Sequence, residues 1–357
     1  MWGETVKITF LIGNGFDVGV GMNSRFKDFF PIYEAKSRTK DKRIKMLSEE
    51  IDGNYETWAD FESALGKYTL KFTKETKQDF LDQLKDFEGD FIEYLKSQED
   101  MLSFDAEKAI SEHMINALRE FYEGGKLAPE SRMTLASVYA NHASEDHTYN
   151  FINFNYTNVL EKCLKKIPQD IVSKRKNNGD RTDRIGRIVH VHGKSDLHPI
   201  IGLNDVGQIE NKELAGDSRF TRFIVKPSLN KLLRYGNDSS ATEVLNQSTI
   251  ICVYGMSLGA TDKKWWHNIL SWLNNNGERQ LVIFDYDNKY TQSNQFNWLE
   301  KEDALIDKLS QYSTGVDVEK LRSRIHIAVH KNIFEIDLAK QKREAYELAI
   351  DKVLTNV

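Results

Sequence analysis

The chain has 357 residues, 40% hydrophobic and 29% charged, with a mean hydropathy of -0.55. That is enough for one large or two ordinary domains with a real core, and the charge content points to a soluble, ordered protein. Lys and Arg number 49 against 54 Asp and Glu, a net charge of -5, so no global basic field recruits nucleic acid, and nucleic acid is not an expected partner. The two cysteines, Cys163 and Cys252, lie far apart in apolar contexts, which excludes a zinc ribbon and argues against a disulfide scaffold. Residues Met1–Thr5 carry no charged leader, and the apolar run after them is too short for a signal peptide or a spanning helix. The expectation is a cytoplasmic protein with no membrane partner.

In chain order, Val6–Ile12 reads as a buried first strand, followed by the loop Gly13-Asn14-Gly15-Phe16-Asp17. Ser24 is a candidate cap for a helix carrying Phe26, Phe29 and Phe30. Residues 31–145 read as long amphipathic helices. Leu84, Phe87, Phe91 and Leu95 mark one apolar face, with Lys85, Asp86 and Glu93 on the rest. Strand character resumes at Tyr149–Phe154. Lys174–Arg181 reads as a solvated loop. Arg187–His192 alternates, with His190 and His192 on one face. Thr249–Tyr254, Gln280–Asp285 and Ile325–Val329 are further strands, and their alternation with helical segments predicts a parallel sheet. Ala345, Leu348, Ala349 and Val353 suggest a closing helix. The organisation that follows is a nucleotide-binding α/β domain from 1–30 and 146–357, with a helical insert at 31–145.

Short polar motifs stand where the strands end, and in open α/β sheets ligands bind outside those ends. Gly13 and Gly15 would let backbone N–H groups approach a phosphate. The third glycine of the dehydrogenase fingerprint is missing, and so is an acid ending a second strand about 20 residues on. Asp17 would repel phosphate and suits sugar hydroxyls or loop orientation; a plain strand–helix turn capped by Asp17 is the alternative. In Asn153-Phe154-Asn155-Tyr156-Thr157, Asn155 offers a donor and an acceptor for a ribose hydroxyl and a water, or both asparagines cap the next helix. His190 suits a satisfied core position, whereas His192, beside Gly193, is the candidate general base. A metal on both histidines would need a third ligand such as His198 or Asp196. Gly255-x-Ser257-x-Gly259 has the form of a nucleophile elbow. The Ala260-Thr261-Asp262 continuation also suits phosphate and ribose contacts. Asp285 is placed for an adenosine ribose, and Trp265 and Trp266 for the core.

The ordered series Gly13–Asp17, Trp58-Ala59-Asp60-Phe61-Glu62, Phe154–Thr157, His192-Gly193, Ile200-Ile201-Gly202 and Gly255–Asp262 resembles the AbiH family of phage abortive-infection proteins over nearly the whole chain. More distantly, the same anchors resemble SIR2-like domains. The resemblance implies an α/β, Rossmann-like (SIR2-like) parallel sheet flanked by helices, with a large all-helical insert. It implies NAD as the ligand, held by Gly13, Asn14, Gly15, Phe16, Asp17, Tyr156, Thr157, Gly193, Gly255, Ser257, Asp262 and Asp285. Asn155 and His192 take the catalytic places, and no metal is expected. Thr157 stands where many SIR2-like proteins carry aspartate, a departure from the pattern at the nicotinamide contacts. The four-cysteine zinc module of protein deacylases is absent, which favours the NAD-hydrolysing defence type.

The function this implies is an anti-phage effector that hydrolyses NAD+ to nicotinamide and ADP-ribose and is held inactive until infection. A phage-derived trigger and a homo-oligomer are compatible partners. Two alternatives stand beside it: a module that senses a nucleotide or phage component without turnover, and another hydrolase, either a Ser257 esterase or a metal-dependent nuclease using His190 and His192.

Overall fold

The computed structural model describes residues 6–123, 127–169, 171–175, 179–286, 295–329 and 332–339. Six strands run parallel: β1 Val6–Ile12, β2 His147–Asn153, β4 Gly179–His190, β5 Ile250–Tyr254, β6 Gln280–Asp285 and β7 Ile325–Val329. A seventh, β3 Ile171–Arg175, pairs antiparallel with β4 at one edge. The sheet order is β3-β4-β2-β1-β5-β6-β7. Leaving β3 aside, the parallel strands run third, second, first, fourth, fifth, sixth in chain order. This is the doubly wound Rossmann-like arrangement, with its switch point between β1 and β5.

The strands are apolar on both faces because helices cover both. Along β1, Ile8, Phe10 and Ile12 join one core cluster, which includes Phe29, Phe87 and Phe91 from the helices between β1 and β2. Leu11 joins the opposite cluster with Ile251, Val253, Trp265, Trp266 and Ile269. Thr9, on that second face, is satisfied by Ser248, hydroxyl to hydroxyl at 2.6 Å. Trp265 and Trp266 are core residues as expected.

Between β1 and β2 the regular structure is helical, from the helix Phe26–Ser37 to the helix Pro129–Asn141. The longest, Lys77–Asp100, buries Leu84, Phe87, Phe91 and Leu95 as their spacing predicts. Phe26 stacks on Phe61 and Phe91 with ring centroids 4.4 and 4.6 Å apart, and Phe61 stacks on Phe87 at 4.7 Å. Each such pair adds about 1 kcal/mol beyond its buried area. The stack joins three helices and faces the carboxyl end of the sheet through Phe91, which meets Tyr156 edge-on at 6.3 Å.

Three local readings are corrected. Lys174, Arg175 and Gly179–Arg181, expected in a solvated loop, lie in strands instead: Ile171–Arg175 and Gly179–Asp183 pair antiparallel, and charge in the sequence reads as loop but is common on an edge strand. The strand expected to run to His192 ends at His190, and Val191 and His192 enter a turn. Ser24 does not cap the helix Phe26–Ser37. Asp28 closes its first turn by accepting from the Arg25 N–H at 3.0 Å, while the Ser24 hydroxyl donates to Asn14 Oδ1 at 2.5 Å. The closing helix expected at Ala345–Val353 lies outside the described residues. Among the described residues, no helix is long and apolar enough to cross a membrane.

Candidate functional site at the switch point

The loops after β1 and β5 meet where the sheet order reverses. The Gly13 N–H donates to the Tyr254 carbonyl at 2.9 Å, Gly15 N–H to the Gly255 carbonyl at 2.8 Å, and Phe16 N–H to the Gly13 carbonyl at 3.0 Å. A Cβ on Gly15 would stand 2.5 Å from Gly255 Cα. The glycines are therefore required by loop-to-loop contact, and these three amides are already engaged. That corrects the expectation that they cradle a phosphate. Phe16 is also corrected: its ring is buried in the core, edge-on to Phe334 at 5.0 Å.

Two cavities flank this junction. One, of about 430 Å³, is lined by Gly13, Asn14, Asp17, Asn155, Tyr156, Thr157, His192, Gly255, Ser257 and Asp262, so most of the sequence-derived site residues converge there. The neighbouring one, of about 690 Å³, shares Asn14, Gly255, Met256 and Ser257 with it, and adds Gly15, Arg25, Tyr254, Asp285 and Tyr286. Asp285 thus belongs to the second cavity, where Lys301 pairs with it at 2.8 Å. Gly193 lines neither: its φ of +70° serves a tight turn, and a Cβ would strike the His198 carbonyl.

Within the first cavity the polar groups are held from several directions. Asn155 is buried; its N–H donates to Asn153 Oδ1 at 3.0 Å and its side-chain amide to the Gly13 carbonyl at 3.1 Å, which ties the asparagine motif to the glycine loop. Neither Asn153 nor Asn155 caps the following helix, Val159–Leu164, whose cap position is Asn158. Thr157 donates to Asp17 Oδ2 at 2.6 Å, and Asp17 Oδ1 has no hydrogen-bond partner. Burial pushes the Asp17 carboxyl up to about 7 against the Thr157 bond, with Glu99 and Glu161 adding to the rise. His192 is also buried, with Nδ1 unpartnered and its ring edge-on to Phe154 at 5.9 Å. Burial, with Lys226 and Lys264 nearby, holds it well below the usual histidine range, so the imidazole is neutral. A buried acceptor left open in a cavity is available to a ligand or a water.

The sequence reading missed Lys226. It is buried on the cavity wall and ion-paired to Glu62, from the Trp58–Glu62 motif. Burial works against its ammonium, but Glu62, Tyr156 and Asp262 outweigh that and hold it protonated. Asn204 completes the cluster, donating to Glu62 Oε2 and to the Thr261 carbonyl, both at 2.9 Å. Burial and then Glu62 push Asp262 up to about 7. Asp60 lines the cavity while capping the helix Phe61–Tyr68 at 3.2 Å, and Trp58 is core. No spacing pattern surrounds Lys226; its only signal is Pro227, which marks a helix start.

Two competing readings of the residues lose their geometry. A nucleophile elbow passes straight from strand to helix through a strained serine. Here the irregular stretch Gly255–Gly259 and a 3-10 turn separate Tyr254 from the helix Lys263–Asn274, and the positive φ falls on Gly255 rather than Ser257. His190 and His192 also diverge. The ring of His190 contacts the Asn155 carbonyl through Nδ1 at 3.1 Å and Glu161 through Nε2, away from the cavity that His192 lines. Among the described residues, no group of three His, Cys, Asp or Glu side chains is arranged to hold a metal.

Fold and site together define a Rossmann-like α/β protein with a polar, histidine-bearing cleft at the switch point of its sheet. Residues 9–285 match the model of the family described as bacteriophage abortive infection AbiH, and the chain belongs to that family. No curated protein matches it.

Proposed function

We propose that this protein is an abortive-infection effector that hydrolyses NAD+ to nicotinamide and ADP-ribose, and that it is held inactive until infection. The observation that carries the reading is the convergence of Asn155, the unpartnered Nδ1 of His192 and the unpartnered Oδ1 of Asp17 in one buried cavity at the switch point. The two adjoining cavities match the two halves of a dinucleotide. The cavity with His192 carries Asp17, Asp60, Glu62 and Asp262 against a single lysine that is already paired. Glu62 is taken by Lys226 and burial raises Asp17 and Asp262 to about 7, so these are carboxyl groups that a bound cation would help to ionise; that suits the cationic pyridinium and the positive charge that grows on the ribose, and it disfavours phosphate. The cavity with Arg25 is the better place for the pyrophosphate.

In the reaction, the bond between ribose C1′ and the pyridinium nitrogen breaks. Its electron pair stays on the nitrogen, so nicotinamide leaves neutral and needs no acid. A water oxygen bonds to C1′ and the water's proton passes to a base. A neutral His192 with an open Nδ1 suits that role, and Asn155 Oδ1 suits a hold on the ribose or the water. On this reading Asn155 and His192 are the catalytic pair, and Asp17 adds a carboxyl group facing the reacting charge.

The test is chromatography of NAD+ incubated with the wild type, Asn155→Ala and His192→Ala, alongside extracts of infected cells carrying each gene. Nicotinamide and ADP-ribose from the wild type, with a loss of roughly 10²–10⁴-fold in either variant, is the expected result. NAD+ that stays constant in infected cells during active defence would overturn the reading.

A further inference from the structure

A third cavity, of about 490 Å³, shares no lining residue with the two at the switch point. Its walls are Arg187–His190 of β4, the turn that carries Gly193, Lys194, Leu197 and His198, and a segment with Tyr235, Asn237 and Ser240. Arg187 and Lys194 carry a positive charge and His198 adds an imidazole, whereas both ring nitrogens of His190 are already taken by the Asn155 carbonyl and Glu161. No acidic side chain lines the cavity among the described residues. The nearby carboxylates do not neutralise it firmly. Glu243 meets Arg187 at 3.0 Å, but both are about half exposed, and such pairs are worth less than about 1 kcal/mol. Asp196 stands 3.9 Å from Lys194, at the limit of an ion pair, and the Lys194 ammonium donates to Asn158 Oδ1 at 3.0 Å, a neutral partner that a phosphate would have to displace. Glu161 is engaged with His190.

The turn is built to present two of these groups. Lys194 and Leu197 exchange backbone hydrogen bonds at 3.0 and 2.9 Å, and Gly193 supplies the positive φ that the tight reversal needs. His198 itself sits at a φ of 53°, an uncommon conformation for a side-chain-bearing residue, costing of order 1 kcal/mol. In that position its ring stacks on Tyr235 with centroids 4.6 Å apart and planes inclined by 25°. The cavity therefore combines cationic donors with a flat aromatic wall, in a volume that fits a small ligand.

We infer that this cavity is a second ligand site, for a phosphomonoester bearing a flat heterocycle: a nucleoside monophosphate. Lys194 and Arg187 meet the phosphate and the His198–Tyr235 pair takes the ring. The inference does not depend on NAD+ hydrolysis.

The test is isothermal titration calorimetry with adenosine 5′-monophosphate, inorganic phosphate and adenosine as separate probes. The monophosphate binds the wild type saturably and more tightly than either fragment. Lys194→Ala and Tyr235→Ala each weaken it at least about tenfold, equivalent to losing one charged contact or one stacked ring. Tyr235→Phe, which keeps the aromatic face, and His192→Ala, whose lost ring lines the switch-point cleft and not this cavity, retain binding. No saturable binding of the monophosphate, or binding that survives both Lys194→Ala and Tyr235→Ala, would overturn the inference. Loss of binding in His192→Ala would overturn it too, because the nucleotide would then sit in the main cleft.

Discussion

Gly15 and Gly255 meet backbone against backbone where β1 and β5 end, joined by the 2.8 Å bond from the Gly15 N–H to the Gly255 carbonyl. Gly255 holds a φ of +69°, and a Cβ there would stand 2.7 Å from the Phe16 nitrogen. Gly255→Ala thus combines a left-handed backbone with a backbone clash, and should cost about 2–4 kcal/mol in stability. Urea unfolding measures it. A cost under about 0.5 kcal/mol would mean that the two loops are not in the contact described.

The Glu62–Lys226 pair sets a second expectation. Both partners are largely shielded, so removing one leaves a buried charge uncompensated. Glu62→Gln should destabilise by about 3–5 kcal/mol, while the double change Glu62→Met with Lys226→Met should recover most of that loss. Equal losses in the single and the double variant would show that the pair is not what stabilises this wall.

If NAD+ is the substrate, as proposed, the charge balance of the His192 cavity predicts a preference between the two forms of the dinucleotide. With Asp17, Asp60, Glu62 and Asp262 on its walls, it should favour the pyridinium of NAD+ over the neutral dihydropyridine of NADH. Titration calorimetry on His192→Ala, which the proposed mechanism slows by removing its base, should give a Kd for NAD+ at least about fivefold lower than for NADH, or about 1 kcal/mol. Equal affinities would remove the charge-matching argument while leaving the hydrolysis assay to stand by itself.

Much of this architecture is legible in the chain because β1, β5, β6 and β7 are predominantly apolar segments, as expected of strands covered on both faces. The antiparallel pairing of β3 with β4 is not legible, because the charged residues of this stretch read as loop in the sequence. The site is legible as a location: Asn155, His192 and Ser257 each follow a strand end, and strand ends at a switch point share a cleft. What each motif does there is less so. The glycines of the first loop look like a phosphate cradle in sequence but are used against Gly255, a fact only the tertiary contact reveals. Lys226 enters from a bridge between Leu203 and Val225 that no local periodicity announces.

The pH dependence of stability should report on Asp17. Its carboxyl is buried and raised from 3.8 to about 7, so between those values the folded chain holds a proton that the unfolded chain has released. Stability contributed by this group is therefore complete below about pH 4 and falls as the pH rises towards 7. At pH 8 the folded state carries the full cost of a buried carboxylate, of order 4 kcal/mol for about three units. Asp17→Asn keeps an acceptor for Thr157 and removes that charge. It should be more stable than the wild type at pH 8, by roughly 2–4 kcal/mol, with the advantage shrinking towards zero near pH 4. Denaturant unfolding of the two proteins across this range isolates Asp17, because groups common to both cancel in the difference. An advantage that stays flat from pH 4 to pH 8 would mean that Asp17 titrates like a solvated carboxylate, and that the cleft around it is open to water.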